Sequence, residues 1–226
     1  MQALEENLQY HFHNADLLAA ALYHSSYANE HRALGIESNE RLEFLGDSVL
    51  GFVTAEYLYA RHPELPEGDL TRIRAALVCE ESLHEAALRL RLGEYLRLGK
   101  GEEQGGGRSR PSILADATEA VFAAVYLDGG IAAASALIHR VLLDCQKEET
   151  VEEKRRDYKT LLQELVQRRN GQELHYEMLR ETGPDHCKSF VTGVFLNGKC
   201  VAEGEGRSKK EAEQSAARAA LAVLEQ

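Results

Sequence analysis

The chain has 226 residues, 44% of them hydrophobic and 28% charged, with no tryptophan and a formal net charge of −11, an ordinary globular composition with room for one large domain or two smaller ones. No apolar run approaches the roughly 20 residues needed to cross a bilayer, and residues 1–10 are polar and acidic, unlike a signal peptide. The four cysteines (Cys79, Cys145, Cys187, Cys200) show neither CxxC nor zinc spacing, so we expect reduced thiols, a cytoplasmic location and no membrane partner.

Residues 1–150 read as nearly all helix. A helix covers 16–23 through Leu17, Leu18, Ala21 and Leu22, and the polar segment His24-Ser25-Ser26-Tyr27-Ala28-Asn29-Glu30 follows. The next helix runs over 39–60 and is stopped by Pro63 and Pro66. Its apolar residues Leu42, Leu45, Val49, Phe52 and Val53 recur at three- and four-residue steps. Glu40, Glu43 and Asp47 fall at i, i+3 and i+7 and share one face. Like charges at i, i+4 cost about 0.2–0.5 kcal/mol per pair, and Gly46 costs about 1 kcal/mol relative to alanine inside a helix. Such a helix is poor for stability alone and makes sense if a cation sits on its acidic face.

Glu67-Gly68-Asp69 leads into a helix over 70–79 that carries Arg72 and Arg74, and another helix spans 81–90. Residues 100–110, KGEEQGGGRSR, form a glycine-rich polar stretch. It is no phosphate-binding P-loop, because Gly107 and Arg108 stand where Lys and Ser/Thr are needed and no strand precedes it. A mobile surface loop is expected there. The helical pattern returns over 112–126, closes at Asp128-Gly129-Gly130, and a last helix spans 132–146.

Asp116 and Glu119 stand at i, i+3 among Ala115, Ala117, Ala120 and Val121. Carboxylates in so apolar a setting are costly unless paired or metal-bound. Two helices contributing two carboxylates each would form an all-oxygen site suited to Mg²⁺ or Mn²⁺. The alternatives are solvated helix faces, or neutralisation by Arg41, Arg72 or Arg74. A di-iron bundle needs two Glu-x-x-His motifs, and only Glu81 to His84 is present.

Residues 147–156, KEETVEEKRR, lack apolar periodicity and read as a flexible charged linker. The acidity lies before it: the net charge is −11 over residues 1–150 and −1 over 157–226, so the overall charge does not exclude RNA. Beyond the linker, 158–169 reads as a short helix with Leu161, Leu162, Leu165 and Val166 inward. Residues 175–181, 188–196 and 199–205 alternate like three antiparallel strands. Asn197-Gly198 is a hairpin turn that pairs Cys200 near Phe195 rather than near Cys187. An alanine-rich helix over 208–224 closes the chain. There Ser208 and Glu211 form a capping box, yet Lys209 and Lys210 in the first turn oppose the helix dipole. The combination makes sense if a phosphate backbone lies across that terminus. The expected fold is thus an all-α domain followed by a small α+β domain of order α-β-β-β-α.

The run Asn39-Glu40-Arg41-Leu42-Glu43-Phe44-Leu45-Gly46-Asp47 resembles the signature of bacterial ribonuclease III, and Pro111-Ser112-Ile113-Leu114-Ala115-Asp116-Ala117-Thr118-Glu119-Ala120 resembles that family's second acidic block. Residues 24–30, Pro66-Glu67-Gly68 and the C-terminal element order match as well, so the resemblance covers essentially the whole chain. It implies a helical catalytic and dimerisation domain over 1–146, the linker at 147–156 and a double-stranded-RNA-binding domain over 157–226. The implied activity is that of a homodimeric, Mg²⁺-dependent endonuclease, with Mn²⁺ able to substitute. It cuts double-stranded RNA to 5′-phosphate and 3′-hydroxyl ends with two-nucleotide 3′ overhangs. Precursors of ribosomal RNA, with some messenger and transfer RNAs, are the implied substrates.

By matching position, Glu43, Asp47, Asp116 and Glu119 are the implied metal ligands, with Asp47 and Glu119 central to catalysis. Glu40 and Glu67 match supporting acidic positions, and Phe44 matches the residue that enters a socket on the partner subunit. Two Mg²⁺ ions about 3.5–4 Å apart can generate the attacking hydroxide and stabilise the leaving oxygen. On the RNA side the resemblance implies Thr160, Gln163 and Glu164 at one minor groove and His186 at the next. Ser208, Lys209 and Lys210 would meet the phosphates between. The rival reading is a protein that binds duplex RNA without cutting it, for which Asp116 and Glu119 would be superfluous.

Overall fold

A computed structural model describes residues 1–145, 158–168, 173–182, 188–206 and 208–224. Contacts within the chain divide it into two units, Met1–Lys154 and Arg155–Gln226. The linker expected at 147–156 and the loop residue His186 lie outside the described residues.

The first unit is helical throughout. In chain order its helices are α1 (Gln2–Leu8), α2 (Ala15–Ala21), α3 (Ser25–Glu30), α4 (Glu40–Arg61), α5 (Glu67–Leu77), α6 (Glu80–Leu90), α7 (Lys100–Gln104) and α8 (Pro111–Ile138), the last continued by a π turn, His139–Leu143. Helix α8 is its axis and packs chiefly against α4 and then α6. Val121 through Val125 are wholly buried, as expected of a helix that is apolar on every side. Taken together, Pro111–Leu143 is 33 residues long and apolar enough to cross a bilayer by length and composition, in place of the two shorter helices expected over 112–126 and 132–146. Gly130 breaks the helical geometry between them (φ 76°, ψ −176°). Part of that apolar surface lies in the core of the unit, where Leu114, Phe122, Leu137 and Leu142 join Leu50, Ile73 and Leu90, while Leu127 and Ile131 are exposed.

Four local expectations change. Residues 24–30 are not merely a polar segment but helix α3, capped by His24, whose Nδ1 accepts from the Ser26 N–H at 3.3 Å; six residues are too few to show a period. Glu67 lies in the first turn of α5 rather than before it. Phe52, part of the apolar repeat that marks α4, is 57% exposed. Residues 100–110 form α7 and a 3-10 turn, Gly107–Ser109, instead of a mobile loop. Arg108 holds them by donating to Glu103 Oε2 (2.7 Å) and to the carbonyls of Gly93 (2.8 Å) and Leu96 (3.0 Å). From α3, Ser26 Oγ accepts from Gly99 N at 2.9 Å and Glu30 Oε1 accepts from Lys100 N at 2.8 Å.

The second unit follows the order α9 (Tyr158–Arg168), β1 (Leu174–Thr182), β2 (Ser189–Leu196), β3 (Lys199–Gly206) and α10 (Lys209–Leu224). The sheet is antiparallel with strand order β1-β2-β3. Asn197 and Gly198 both have positive φ (50° and 78°), the geometry of a two-residue hairpin turn, and Phe195 pairs with Cys200 as expected. Leu162, Val166, Val194, Leu196, Ala216, Ala217 and Ala220 form the core. Leu161, expected inward, is 42% exposed. The fold is therefore an all-helical domain followed by an α-β-β-β-α domain.

Candidate metal centre and nucleic-acid interface

The acidic positions meet because α4 and α8 cross in backbone contact. A Cβ added at Gly46 would lie 1.9 Å from the Glu119 carbonyl oxygen, so glycine there is a requirement of the crossing rather than a weakness of the helix. The start of α4 is fixed by buried Asn39, whose backbone N–H donates to Tyr23 O (2.8 Å) and whose Nδ2 donates to Ala21 O (3.1 Å). With both helices so placed, Glu43, Asp116 and Glu119 each offer a carboxylate oxygen within 4.8 Å of the others.

The electrostatics are those of an uncompensated acidic cluster. Burial, reinforced by Asp47, Glu43 and Asp116, pushes Glu119 up to about 7. Burial, then Asp116, Glu40 and Asp47, also raises Glu43. Asp116 is raised by burial, with His24 opposing the shift and Glu80 adding to it. Among the described residues no hydrogen bond or ion pair from a cationic side chain reaches these carboxylates. Arg41 instead faces Glu37 at 4.0 Å and Arg72 faces Asp69 at 3.4 Å. Three half-buried carboxylates converging with only His24 opposing their charge fit a hard divalent cation with oxygen ligands.

Asp47, one turn beyond Glu43, is exposed and borders the group of three, close enough to act on Glu119. Glu40 is exposed and accepts from Ser38 Oγ at 2.7 Å. Glu67 stands apart from the cluster and accepts from Thr71 Oγ1 at 2.7 Å; it lines an apolar groove of about 400 Å³ with Phe52, Tyr59 and Arg74. Phe44 is 79% exposed, with Phe52 and Tyr59 further along α4 also exposed. His24 and Glu80, whose charges bear on Asp116, share no element with it, so spacing could not join them to the site, although His24 opens the 24–30 segment that matches the family.

In the second unit Thr160, Gln163 and Glu164 are exposed on α9, away from buried Leu162 and Val166. Ser208 Oγ accepts from Glu211 N at 3.2 Å, half of the expected capping box, and exposed Lys209 and Lys210 open α10.

A carboxylate centre between two crossed helices, joined to an α-β-β-β-α unit with lysines at a helix start, defines a nuclease-type chain carrying a duplex-RNA-binding domain. Residues 14–145 match the Ribonuclease-III-like family model and residues 158–224 match the double-stranded RNA binding motif. The chain belongs to the ribonuclease III family, and it is an endoribonuclease. It is 52% identical over 218 residues to Ribonuclease 3 of Pelotomaculum thermopropionicum, covering 96% of this chain and 90% of the relative. Against Ribonuclease 3 of Carboxydothermus hydrogenoformans it is 50% identical over 222 residues, covering 98% and 94%. The nuclease domain of ribonuclease III from Campylobacter jejuni superposes with a TM-score of 0.60 at 39% identity, covering 66% of this chain and 98% of that one. A second structure of that domain, described for flexibility in a region involved in dimer formation, gives a TM-score of 0.59 at 40% identity, covering 63% and 96%.

Proposed function

We propose that the chain is a Mg²⁺-dependent, homodimeric endonuclease that hydrolyses double-stranded RNA to 5′-phosphate and 3′-hydroxyl ends with two-nucleotide 3′ overhangs. Its substrates are precursors of ribosomal RNA and some messenger and transfer RNAs, and it works in the cytoplasm. The observation that carries the reading is the convergence of Glu43, Asp116 and Glu119 at the α4–α8 crossing. A protein that only bound RNA would gain nothing from leaving these charges uncompensated beside an apolar core.

Glu43, Asp116 and Glu119 would hold the metal, with Asp47 as the fourth and most accessible carboxylate. Bound Mg²⁺ supplies activation of water and neutralisation of charge at the phosphoryl group. The protein's own contribution is to bring the carboxylates together through the Gly46 contact and to hold Asp116 and Glu119 on a helix whose neighbouring residues Ala115, Ala117 and Ala120 are buried. Glu40 serves from outside through its effect on Glu43, and Glu67 serves substrate or structure rather than the metal. Residues 1–146 form the catalytic and dimerisation domain, with exposed Phe44 entering the partner subunit. Residues 157–226 bind RNA through Thr160, Gln163, Glu164, His186, Ser208, Lys209 and Lys210, and 147–156 link the two.

The test is incubation of the full chain with a long duplex RNA in Mg²⁺, with end mapping of products and sedimentation of the free protein. Cleavage to short duplexes with the stated ends by a dimer is expected. Retention without cleavage across Mg²⁺, Mn²⁺ and other divalent ions would sink the reading.

A further inference from the structure

Beside the acidic centre, and unused by it, lies a polar groove whose lining includes two arginines and two glutamates. Helix α3, the 3-10 turn Arg32–Leu34 and the start of α4 enclose an open groove of about 530 Å³ in which Arg32 and Arg41 stand with Ser25, Asn29 and Ser38. Its two arginines are not held by strong partners. Among the described residues Arg32 has no side-chain hydrogen-bond or ion-pair partner and is exposed. Arg41 meets Glu37 only at 4.0 Å, with side chains 90% and 81% exposed; a pair of that kind contributes almost nothing and yields to a better anion. The other carboxylate in the lining, Glu40, is engaged by Ser38 Oγ.

Both walls lead to the metal centre. Glu40 lies three residues before Glu43 on α4, about 4.5 Å along the axis at the helical rise, and its charge raises Glu43. On the opposite wall Ser25 follows His24, whose charge acts on Asp116. The α3 wall is also held in place, since Ser26 and Glu30 accept from the backbone of Gly99 and Lys100. A strand delivering one phosphodiester to the carboxylates carries its neighbouring phosphates along the surface on either side of them, where this groove lies. A centre built of carboxylates repels that polyanion, and fixed cations at its flank offset the repulsion.

We propose that this groove is a subsite for the phosphodiester backbone of the RNA strand being cut, with Arg32 its principal cation and Arg41 its second. The planar guanidinium donates two parallel N–H bonds to a phosphate, and Ser25 and Asn29 supply donors to phosphate or a 2′-hydroxyl. The proposal rests on the reading of the chain as a duplex-RNA nuclease.

The test uses the full chain as wild type, Arg32→Gln, Arg32→Lys and Arg32→Gln/Arg41→Gln. Binding to a long duplex RNA is measured in EDTA across a salt series, and single-turnover cleavage is measured in Mg²⁺. Arg32→Gln is expected to weaken binding by about three- to tenfold and to flatten the salt slope by about 1, and the double variant by about 2. Arg32→Lys is expected to keep the slope, which separates charge from any structural effect. Unchanged affinity and slope in the double variant, with a wild type that cuts, would overturn the groove alone. A wild type that binds but never cuts would overturn the nuclease reading, while the slopes would still decide whether the groove contacts phosphate.

Discussion

Glu119 feels burial and the charges of Asp47, Glu43 and Asp116 in the same sense, which is why its carboxyl is pushed up to about 7. In the metal-free protein that shift is linked to stability. The folded carboxyl holds its proton more tightly than the unfolded one, so its favourable contribution is complete below the ordinary value of 4.5 and is lost as the pH rises through about 7. Thermal melts in EDTA are expected to fall in midpoint across that interval. Glu119→Gln, which cannot ionise, is expected to fall less and to melt above wild type on the alkaline side; identical pH profiles would contradict the assignment. The same substitution removes one of the carboxylates proposed to hold the metal, so cutting in Mg²⁺ is expected to drop by about a hundredfold or more while retention of duplex RNA on a gel stays near wild type. Glu43 and Asp116 share the environment but are shifted less far, which makes Glu119 the most sensitive reporter.

At the scale of elements, the close approach of α4 and α8 is the structural cause of the site. Gly46→Ala would place a methyl against the Glu119 carbonyl and force the helices apart, at about 1–3 kcal/mol for overpacking. A lower melting midpoint together with lost cleavage is expected; a variant that melts lower yet cuts normally would show that the crossing does not set the site. In the second unit, Lys209 and Lys210 occupy the first turn of α10, where their charge opposes the helix dipole. Lys209→Ala/Lys210→Ala is expected to weaken duplex binding and flatten its salt slope by about 1–2, measured by titration at several salt concentrations. An unchanged slope would remove these lysines from the phosphate contact. Legibility differed by element length. The long helices and the Asn197-Gly198 hairpin show their period or turn chemistry directly. Helix α3 and the 100–110 segment do not, because their order comes from Arg108, Ser26 and Glu30 reaching other elements.

At the scale of the nuclease unit, Asp128, two residues before the Gly130 kink, ties α8 to the N-terminal segment. Its side chain is only 2% exposed and accepts from Tyr10 OH (2.7 Å), His13 N (2.9 Å) and Asn14 N (2.8 Å). Burial works against its charge, but these donors prevail and hold the carboxyl well below the usual range, while Tyr10, partly buried and bonded to it, is pushed up to about 12. A depressed carboxyl contributes stability above its unfolded value and loses it as the pH falls through the folded one. Asp128→Asn is therefore expected to melt below wild type at neutral pH, with the gap closing as the pH is lowered through the ordinary carboxylate range. A gap independent of pH would show that packing, not charge, sustains the contact.

The sequence by itself determined that Glu40, Glu43 and Asp47 share a helix face, that Asp116 and Glu119 do so on another, and that a helical region precedes an α-β-β-β-α unit. Each of these follows from the repeat of residues along one element. The tertiary structure alone decided that Glu43, Asp116 and Glu119 converge with Asp47 at their edge, that Glu67 stands apart, and that Phe52 faces outward. Periodicity tells which residues share a face. Which faces meet depends on how closely two helices can approach, and here a missing Cβ at Gly46 sets that distance.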